Sequence, residues 1–215
     1  MGRVFLRLVV LCFFLFFFLS CSDSVPEIAE TNVSFVMDYK TKESLPEIRL
    51  SVFVQPTTDV GRVSHIDVRH VASGLLWRID NPMVLNGSKK YMAGSPFLMP
   101  PYYDGVPKGP YVLTYEDLAG RFVQTEFEVS YPQDFLSMQV PQIESFAQET
   151  AAPEKIAVYS GEKGTGVLLY YGERKEDWFS NEKIMEAYAK AMSIRTCYEL
   201  QGEAVLCLLP PQNLR

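Results

Sequence analysis

Alternating apolar and polar residues between positions 32 and 131 constrain the fold of this 215-residue chain more than any other feature. The period-two segments, which are rich in β-branched and aromatic residues, are 33–37, 48–54, 63–68, 75–79, 111–115 and 122–129. Prolines, glycines and asparagines separate them. Short strands with turn signals about every 8 to 12 residues, and no helical pattern between them, predict an antiparallel β-sandwich.

One of the predicted hairpins carries a resemblance to a known family. The segment GPYVLTYEDLAGRF, which begins at Gly109, resembles the late hairpin of bacterial immunoglobulin-like and fibronectin-type domains. In those domains a Gly-x-Tyr opens a strand, as Gly109 and Tyr111 would here, and an Asp-x-x-Gly turn such as Asp117 to Gly120 leads into the last strand. The resemblance implies an immunoglobulin-like sandwich over residues 32–132.

The C-terminal third of the chain has a different pattern. Residues 133–155 lose the alternation and are interpreted as a linker with about one helical turn. Strand-like segments at 156–159 and 167–171 precede a helix that begins after Ser180, and two further strands span 194–200 and 204–209. We therefore predict a small α+β unit with the order β-β-α-β-β over residues 156–215. A unit of this size buries little apolar surface and should pack against the sandwich.

The N-terminus contains an unbroken apolar run from Leu8 to Leu19, preceded by Arg3 and Arg7. As a helix the run would extend about 18 Å, which is short of a hydrocarbon core of about 30 Å. A basic start followed by an apolar segment and a small residue is typical of an export signal. Cleavage at a site other than Ser20-Cys21 and retention as an uncleaved anchor are the alternatives.

The four residues Phe18-Leu19-Ser20-Cys21 resemble the lipobox of bacterial lipoproteins. The resemblance implies a signal peptide over residues 1–20, a lipid on the thiol of Cys21 and a flexible tether over residues 21–31. It also implies a lipoprotein of the bacterial cell envelope, anchored to a membrane on its periplasmic side or at the surface. Two or three acyl chains hold a protein on a membrane where one does not.

The charge balance limits the partners of the mature chain. The full sequence has 20 basic and 26 acidic residues, and removing residues 1–20, which contain two arginines and no acid, gives a net charge of −8. An acidic protein is not expected to bind nucleic acid. It is also repelled by anionic headgroups, so the acyl chains rather than charge must provide the membrane attachment.

Two cysteines remain after processing, Cys197 and Cys207, and they are a possible disulfide. A three-residue loop in the last hairpin would place them opposite each other, whereas a two-residue loop would place Cys197 opposite Leu206. Two buried thiols are the alternative to the bond. Neither cofactor nor metal is predicted, because Gly161 to Gly166 lacks the spacing of a phosphate-binding loop and the chain has only two histidines.

A loop of five prolines and four aromatic residues spans positions 95–111. Prolines lower the entropy lost when a surface is presented, and rings supply contact area. The candidate partner contacts are Phe97, Tyr102, Tyr103 and Tyr111, with an envelope protein, a peptide or a glycan as the partner. The alternative is that this loop folds back over the open end of the sandwich.

The sequence contains no recognisable catalytic motif, so a non-catalytic role in binding or assembly is the favoured function. One alternative is an envelope hydrolase or accessory enzyme that uses carboxylates, and another is a structural spacer. A deep pocket with two close carboxylates would favour the enzyme. A flat sandwich face would favour binding.

Overall fold

The computed structural model describes residues 25–86, 91–101, 105–202 and 204–215. Thirteen strands and two α-helices lie in this part of the chain. The strands are β1 (Ile28–Asp38), β2 (Glu47–Pro56), β3 (Val63–His70), β4 (Leu76–Ile79), β5 (Met83–Asn86), β6 (Tyr91–Leu98), β7 (Gly109–Asp117), β8 (Phe122–Val129), β9 (Glu154–Tyr159), β10 (Leu168–Gly172), β11 (Ser193–Leu200), β12 (Val205–Leu208) and β13 (Gln212–Asn213). The helices are α1 (Val140–Glu149) and α2 (Asn181–Ala187), and neither is long enough to cross a membrane.

Strands β1 to β8 form the predicted sandwich. One sheet has the order β1-β2-β6-β5 and the other has the order β4-β3-β7-β8, with antiparallel neighbours throughout. Counted along the chain, one sheet holds the first, second, sixth and fifth strands of the sandwich, which matches the A-B-E-D sheet of the immunoglobulin type when β4 is an additional strand of the other sheet. The fold class predicted from the alternation is therefore confirmed.

Strands β5 and β6 were not predicted as strands, and each has a reason for escaping the pattern. Met83, Val84 and Leu85 of β5 are all exposed apolar residues, so β5 shows no alternation. Strand β6 contains Gly94 and Pro96, and its register with β2 shifts between Leu50 and Val52. Glycine and proline inside a strand mark irregular or edge positions, which weakens the signal that the sequence carries.

The sandwich core is formed by the inward-facing residues of both sheets. Phe35 and Met37 of β1 and Ile66 and Val68 of β3 are almost fully buried in the same cluster. Three stacked rings from β4, β7 and β8 lie on the inward-facing side of the second sheet. The ring centres of Trp77 and Tyr111 are 6.2 Å apart, and those of Tyr111 and Phe127 are 5.2 Å apart. Alternation places these side chains inside because successive residues of a strand point to opposite faces.

The C-terminal unit has the predicted order β9-β10-α2-β11-β12, and it extends the first sheet of the sandwich. Strand β12 pairs in parallel with β1, which gives the continuous order β10-β9-β11-β12-β1-β2-β6-β5. The interpreted linker contains the whole of α1, a ten-residue helix rather than one turn. Val140, Ile143 and Ala147 of α1 are buried in the sandwich core, so this segment is part of the fold.

A buried charge cluster joins the C-terminal unit to the sandwich. Asp38 of β1 accepts hydrogen bonds from Arg195 of β11 at 2.7 Å and from Arg49 of β2 at 2.8 Å. Arg195 also donates to the carbonyl oxygens of Tyr39 and Leu209. A carboxylate shared by two guanidinium groups is stable inside a protein only when its oxygens and their donors are satisfied, as they are here.

Candidate functional site

A groove opens at the end of the sandwich where β2 begins and β6 ends. Its volume is about 700 Å³. It is lined by residues from three separate segments, Leu45, Pro46, Glu47, Ile48, Met99, Pro100, Pro101 and Leu136, and is called the proline-rich groove below. Most of these side chains are aliphatic, and Glu47 is the charged residue among the described lining residues.

The predicted contact loop forms one wall of this groove and is held by hydrogen bonds to the sheets. The indole N–H of Trp77 donates to the carbonyl oxygen of Met99 at 2.8 Å. Arg49 donates through Nε to the carbonyl oxygen of Pro96 at 2.9 Å, and its guanidinium lies 5.1 Å from the ring centre of Phe97. The two hydrogen bonds fix the backbone of the wall at Pro96 and Met99.

Two apolar side chains that line the groove are exposed. Leu45 is 55% exposed and Met99 is 49% exposed. Scattered apolar residues are normal on a protein surface, but exposed apolar residues on two walls of one groove provide a contact surface. Phe97, a predicted contact residue, is 64% exposed but does not line the groove, because its ring lies against Arg49, which faces away from Ile48.

Gly105 is needed where the loop passes over the base of the groove. Its φ of +93° lies in a region that side-chain-bearing residues rarely adopt. A Cβ atom at this position would also come within 3.0 Å of Ile48 Cδ1 and 3.3 Å of the Tyr131 hydroxyl. Tyr131 donates from that hydroxyl to the carbonyl oxygen of Val106 at 2.6 Å, which closes the loop onto the core.

The prediction that Tyr111 contacts a partner is wrong. Tyr111 is fully buried at the start of β7, and its hydroxyl donates to the carbonyl oxygen of Pro107 at 2.7 Å. Burial raises the pKa of this phenol well above its usual value. A tyrosine that bonds back to the chain a few residues upstream stabilises the corner of many sandwiches. Tyr102 and Tyr103 lie outside the described residues, as does Cys21.

The possible disulfide is also corrected by the structure: Cys197 and Cys207 are both free and buried. Leu200 pairs with Val205, so the last hairpin has four connecting residues and Cys197 faces Leu208. Neither anticipated register is present. Cys207 is one residue away from Leu208, the partner of Cys197, and neighbouring residues of a strand point to opposite faces, so the two thiols lie on opposite faces of the sheet. Burial raises the pKa of Cys197 to about 12, so its thiol stays protonated.

The most buried carboxylates are held in arginine pairs rather than in an open pocket. Asp117 accepts two hydrogen bonds from the Arg121 guanidinium, at 3.0 and 2.8 Å, and these bonds lower the pKa of its carboxyl. Asp67 is held by Arg78 across the strand pair. Such carboxylates remain charged, which suits structural ion pairs more than proton donation.

A smaller pocket of about 250 Å³ is lined by two glutamates, Glu144 and Glu154, with Lys42 and Tyr198. Glu154 is exposed and Glu144 is half-exposed, so this pocket is not the deep, dry site that carboxylate chemistry would use. The geometry favours the proline-rich groove as the candidate site.

Leu45, Ile48 and Leu136 were not identified from the sequence. They are separated by up to about ninety positions and carry no shared motif, so only the fold brings them together. Comparisons with protein-family models, with curated proteins and with solved structures find no match for this chain. The function of the chain is therefore inferred from the geometry of the site.

Proposed function

We propose that this chain is a lipid-anchored protein of the bacterial envelope and that its proline-rich groove binds an apolar segment of another envelope protein without catalysing a reaction. The observation that carries the proposal is the groove of about 700 Å³ lined by the exposed side chains of Leu45 and Met99. Ligand sites are typically concave, largely apolar and of about 300 to 1,000 Å³.

The position of the groove relative to the anchor supports this function. Six residues lie between Cys21 and Ile28, where β1 begins, and the seven Cα-to-Cα steps between the two span at most about 25 Å. Strand β1 has 11 residues and is about 36 Å long. Because the groove lies beyond the far end of β1, lipidation at Cys21 would direct it away from the membrane surface and towards other envelope components.

The lining of the groove favours a protein partner over a glycan. Leucine, isoleucine, methionine and proline side chains offer apolar contact but few hydrogen bonds. A glycan requires many hydrogen bonds from side chains, whereas an apolar side chain of a protein gains about 25 cal/mol for each Å² of surface that it buries. Aliphatic anchors of this kind are typical of the buried centre of a protein interface.

Site-specific photo-crosslinking in the native envelope tests the groove. A photoreactive residue at Leu45 or Met99 should give a discrete adduct, and the same residue at Gln124, on the exposed outer face of β8, should give none. Adding Leu45→Glu should abolish the adduct at Met99, because a charge on the groove wall opposes apolar contact. Equal labelling at all three positions, or none at the groove, would favour a spacer function instead.

Mass spectrometry of the mature protein tests the anchor separately. The expected N-terminal residue is a lipid-modified Cys21, and Cys21→Ser should release the protein from the membrane fraction. An unmodified thiol at position 21, or an intact leader, would contradict the anchor. The crosslinking result would still be interpretable, because the groove contains no residue of the leader.

A further inference from the structure

Strand β1 extends past its neighbour β12 and leaves a free edge. It pairs with β2 from Ile28 to Asp38, but it pairs with β12 only from Phe35 to Asp38. The bond from the Phe35 amide to the Ala204 carbonyl oxygen, at 2.9 Å, is the last on that side. Residues 28–34 therefore have a strand neighbour on one side only, among the residues that the structure describes.

The unpaired backbone groups on this edge can be assigned from the alternation of β1. The amides of Phe35 and Tyr39 both donate towards β12. Backbone groups of a strand point alternately to its two sides, so those of Thr31 and Val33 point to the same side as Phe35. Neither of these two amides has a backbone partner in the described part of the chain.

A cavity of about 570 Å³ lies against the free edge and is called the β1 notch. Its lining includes Thr31 and Val33, although their side chains face the sandwich interior opposite Val54 and Val52. They therefore contribute backbone to the notch. The opposite wall is formed by the β11–β12 turn, with Gly202 and Ala204, and by Glu199 of β11, which accepts a hydrogen bond from the Tyr171 hydroxyl at 2.7 Å.

Backbone donors and acceptors at strand spacing are matched by another extended chain. Glu199 carries a negative charge on the wall of the notch. We propose that the β1 notch accepts an extended, basic peptide segment of a partner protein, which hydrogen-bonds to Thr31 and Val33 as an added strand. This site is separate from the proline-rich groove and lies near the membrane-anchored end of β1.

The residues that would remain ahead of β1 after processing are too few to fill this edge. The carbonyl oxygen of Glu27 accepts from the Thr57 amide, so the chain continues β1 alongside β2 down to residue 27. Cleavage before Cys21, which is part of the proposed function, leaves six residues ahead of Glu27. A hairpin needs at least two residues for its turn, so too few remain to return and cover residues 28–34.

The probe is an acetylated and amidated peptide of four Lys-Val repeats, titrated into the isotopically labelled chain from Ser22 onward, which contains every described element. We expect saturable NMR shifts centred on Thr31 and Val33, with half-saturation below about 1 mM, and slower hydrogen exchange of these two amides. Absence of saturation at about 1 mM, or shifts located elsewhere, would overturn the proposal.

Two matched controls separate strand addition from charge attraction. The fully N-methylated peptide keeps its charge but has no backbone donor, so it should bind about tenfold more weakly or worse. Glu199→Lys should weaken binding of the unmodified peptide about threefold or more at low salt, whereas Glu128→Lys on the outer face of β8 should not. Equal binding of both peptides would overturn strand addition.

Two other occupants would also overturn the proposal. If hydrogen exchange of the Thr31 and Val33 amides becomes slower as the protein concentration rises, without peptide, a second copy of the chain is the added strand. Protection of these amides in the uncleaved chain in detergent micelles, but not in the chain from Ser22 onward, would identify the leader. Only peptide-dependent protection in the shorter chain supports a partner protein.

Discussion

The sandwich and the C-terminal unit solve the problem of burial differently. Two facing sheets and α1 enclose the large core of the sandwich. The C-terminal unit has one sheet, covered on one face by a small cluster around Trp178 and Ile184. A unit of this size is marginal on its own, and it gains stability by continuing the sheet of its larger neighbour through the β1–β12 pair. Its strand order is local, but its stability depends on the sandwich.

The two regions also differ in how they satisfy buried carboxylates. Asp117, in the sandwich, accepts hydrogen bonds from the backbone amide and the guanidinium of Arg121 and from the backbone amide of Ala119, all within four positions. Asp38, at the junction, depends on Arg195, which is 157 positions away. The sandwich therefore closes its charges locally, whereas the junction requires both regions to be folded at the same time.

The largest expected effect comes from removing the shared carboxylate. Asp38→Ala leaves Arg49 and Arg195 buried without their acid, and we expect a loss of about 3 to 5 kcal/mol in the free energy of unfolding. Urea unfolding at neutral pH measures it. The matched control is Asp67→Ala, whose partner Arg78 is exposed, and it should lose about 1 kcal/mol or less. Similar losses in both variants would remove the special role of the junction.

The same carboxylate should make stability depend on acid. Burial acts to raise the pKa of Asp38, but the hydrogen bond and charge of Arg195, with the charges of Arg49 and Lys40, outweigh it and lower that pKa. Its contribution is therefore complete above the unfolded value of about 4 and is lost as pH falls through the folded value. We expect the urea concentration at the unfolding midpoint, measured from pH 7 to pH 3, to decrease once the pH is below about 4. The decrease should be less steep in Asp38→Asn.

A matched pair of core substitutions compares the two regions directly. Ile66→Val in the sandwich and Ile156→Val in the C-terminal unit each remove one methylene from a fully buried side chain, and each should destabilise by about 1 kcal/mol. Native-state hydrogen exchange should show that Ile156→Val lowers protection in β9 to β11 only. Equal loss of protection in β1 to β8 would mean that the two regions unfold as one unit.

The smallest expected effect concerns the two thiols. Because Cys197 and Cys207 are free and face opposite sides of the sheet, a reductant should not change the melting temperature. In the chain from Ser22 onward both thiols should react with a thiol reagent only after unfolding, since burial raises their pKa values. A drop in melting temperature on reduction would instead indicate a bond.

Much of the fold was predictable because alternation is a local signal. The strands at 48–54 and 122–129 were identified from period two, and Ser180 was identified as the residue before α2. α1 was predicted as only about one turn, although its first-turn proline and the buried positions Val140, Ile143 and Ala147 are helix signals. The candidate site was predictable only in part: Met99, Pro100 and Pro101 belong to the loop that the sequence singled out, but the opposite wall of the groove was not identified.

The sequence by itself determined the sandwich and the order of the C-terminal elements, because each depends on residues that are close together in the chain. The lipobox-like start stays a prediction. Only the tertiary structure decided which tyrosine is buried, how the cysteines are registered and which carboxylate joins the two regions. It also decided that β1 is longer than β12. These features depend on turn length and on contacts between distant segments, and a one-residue difference in a turn reverses which face a side chain occupies.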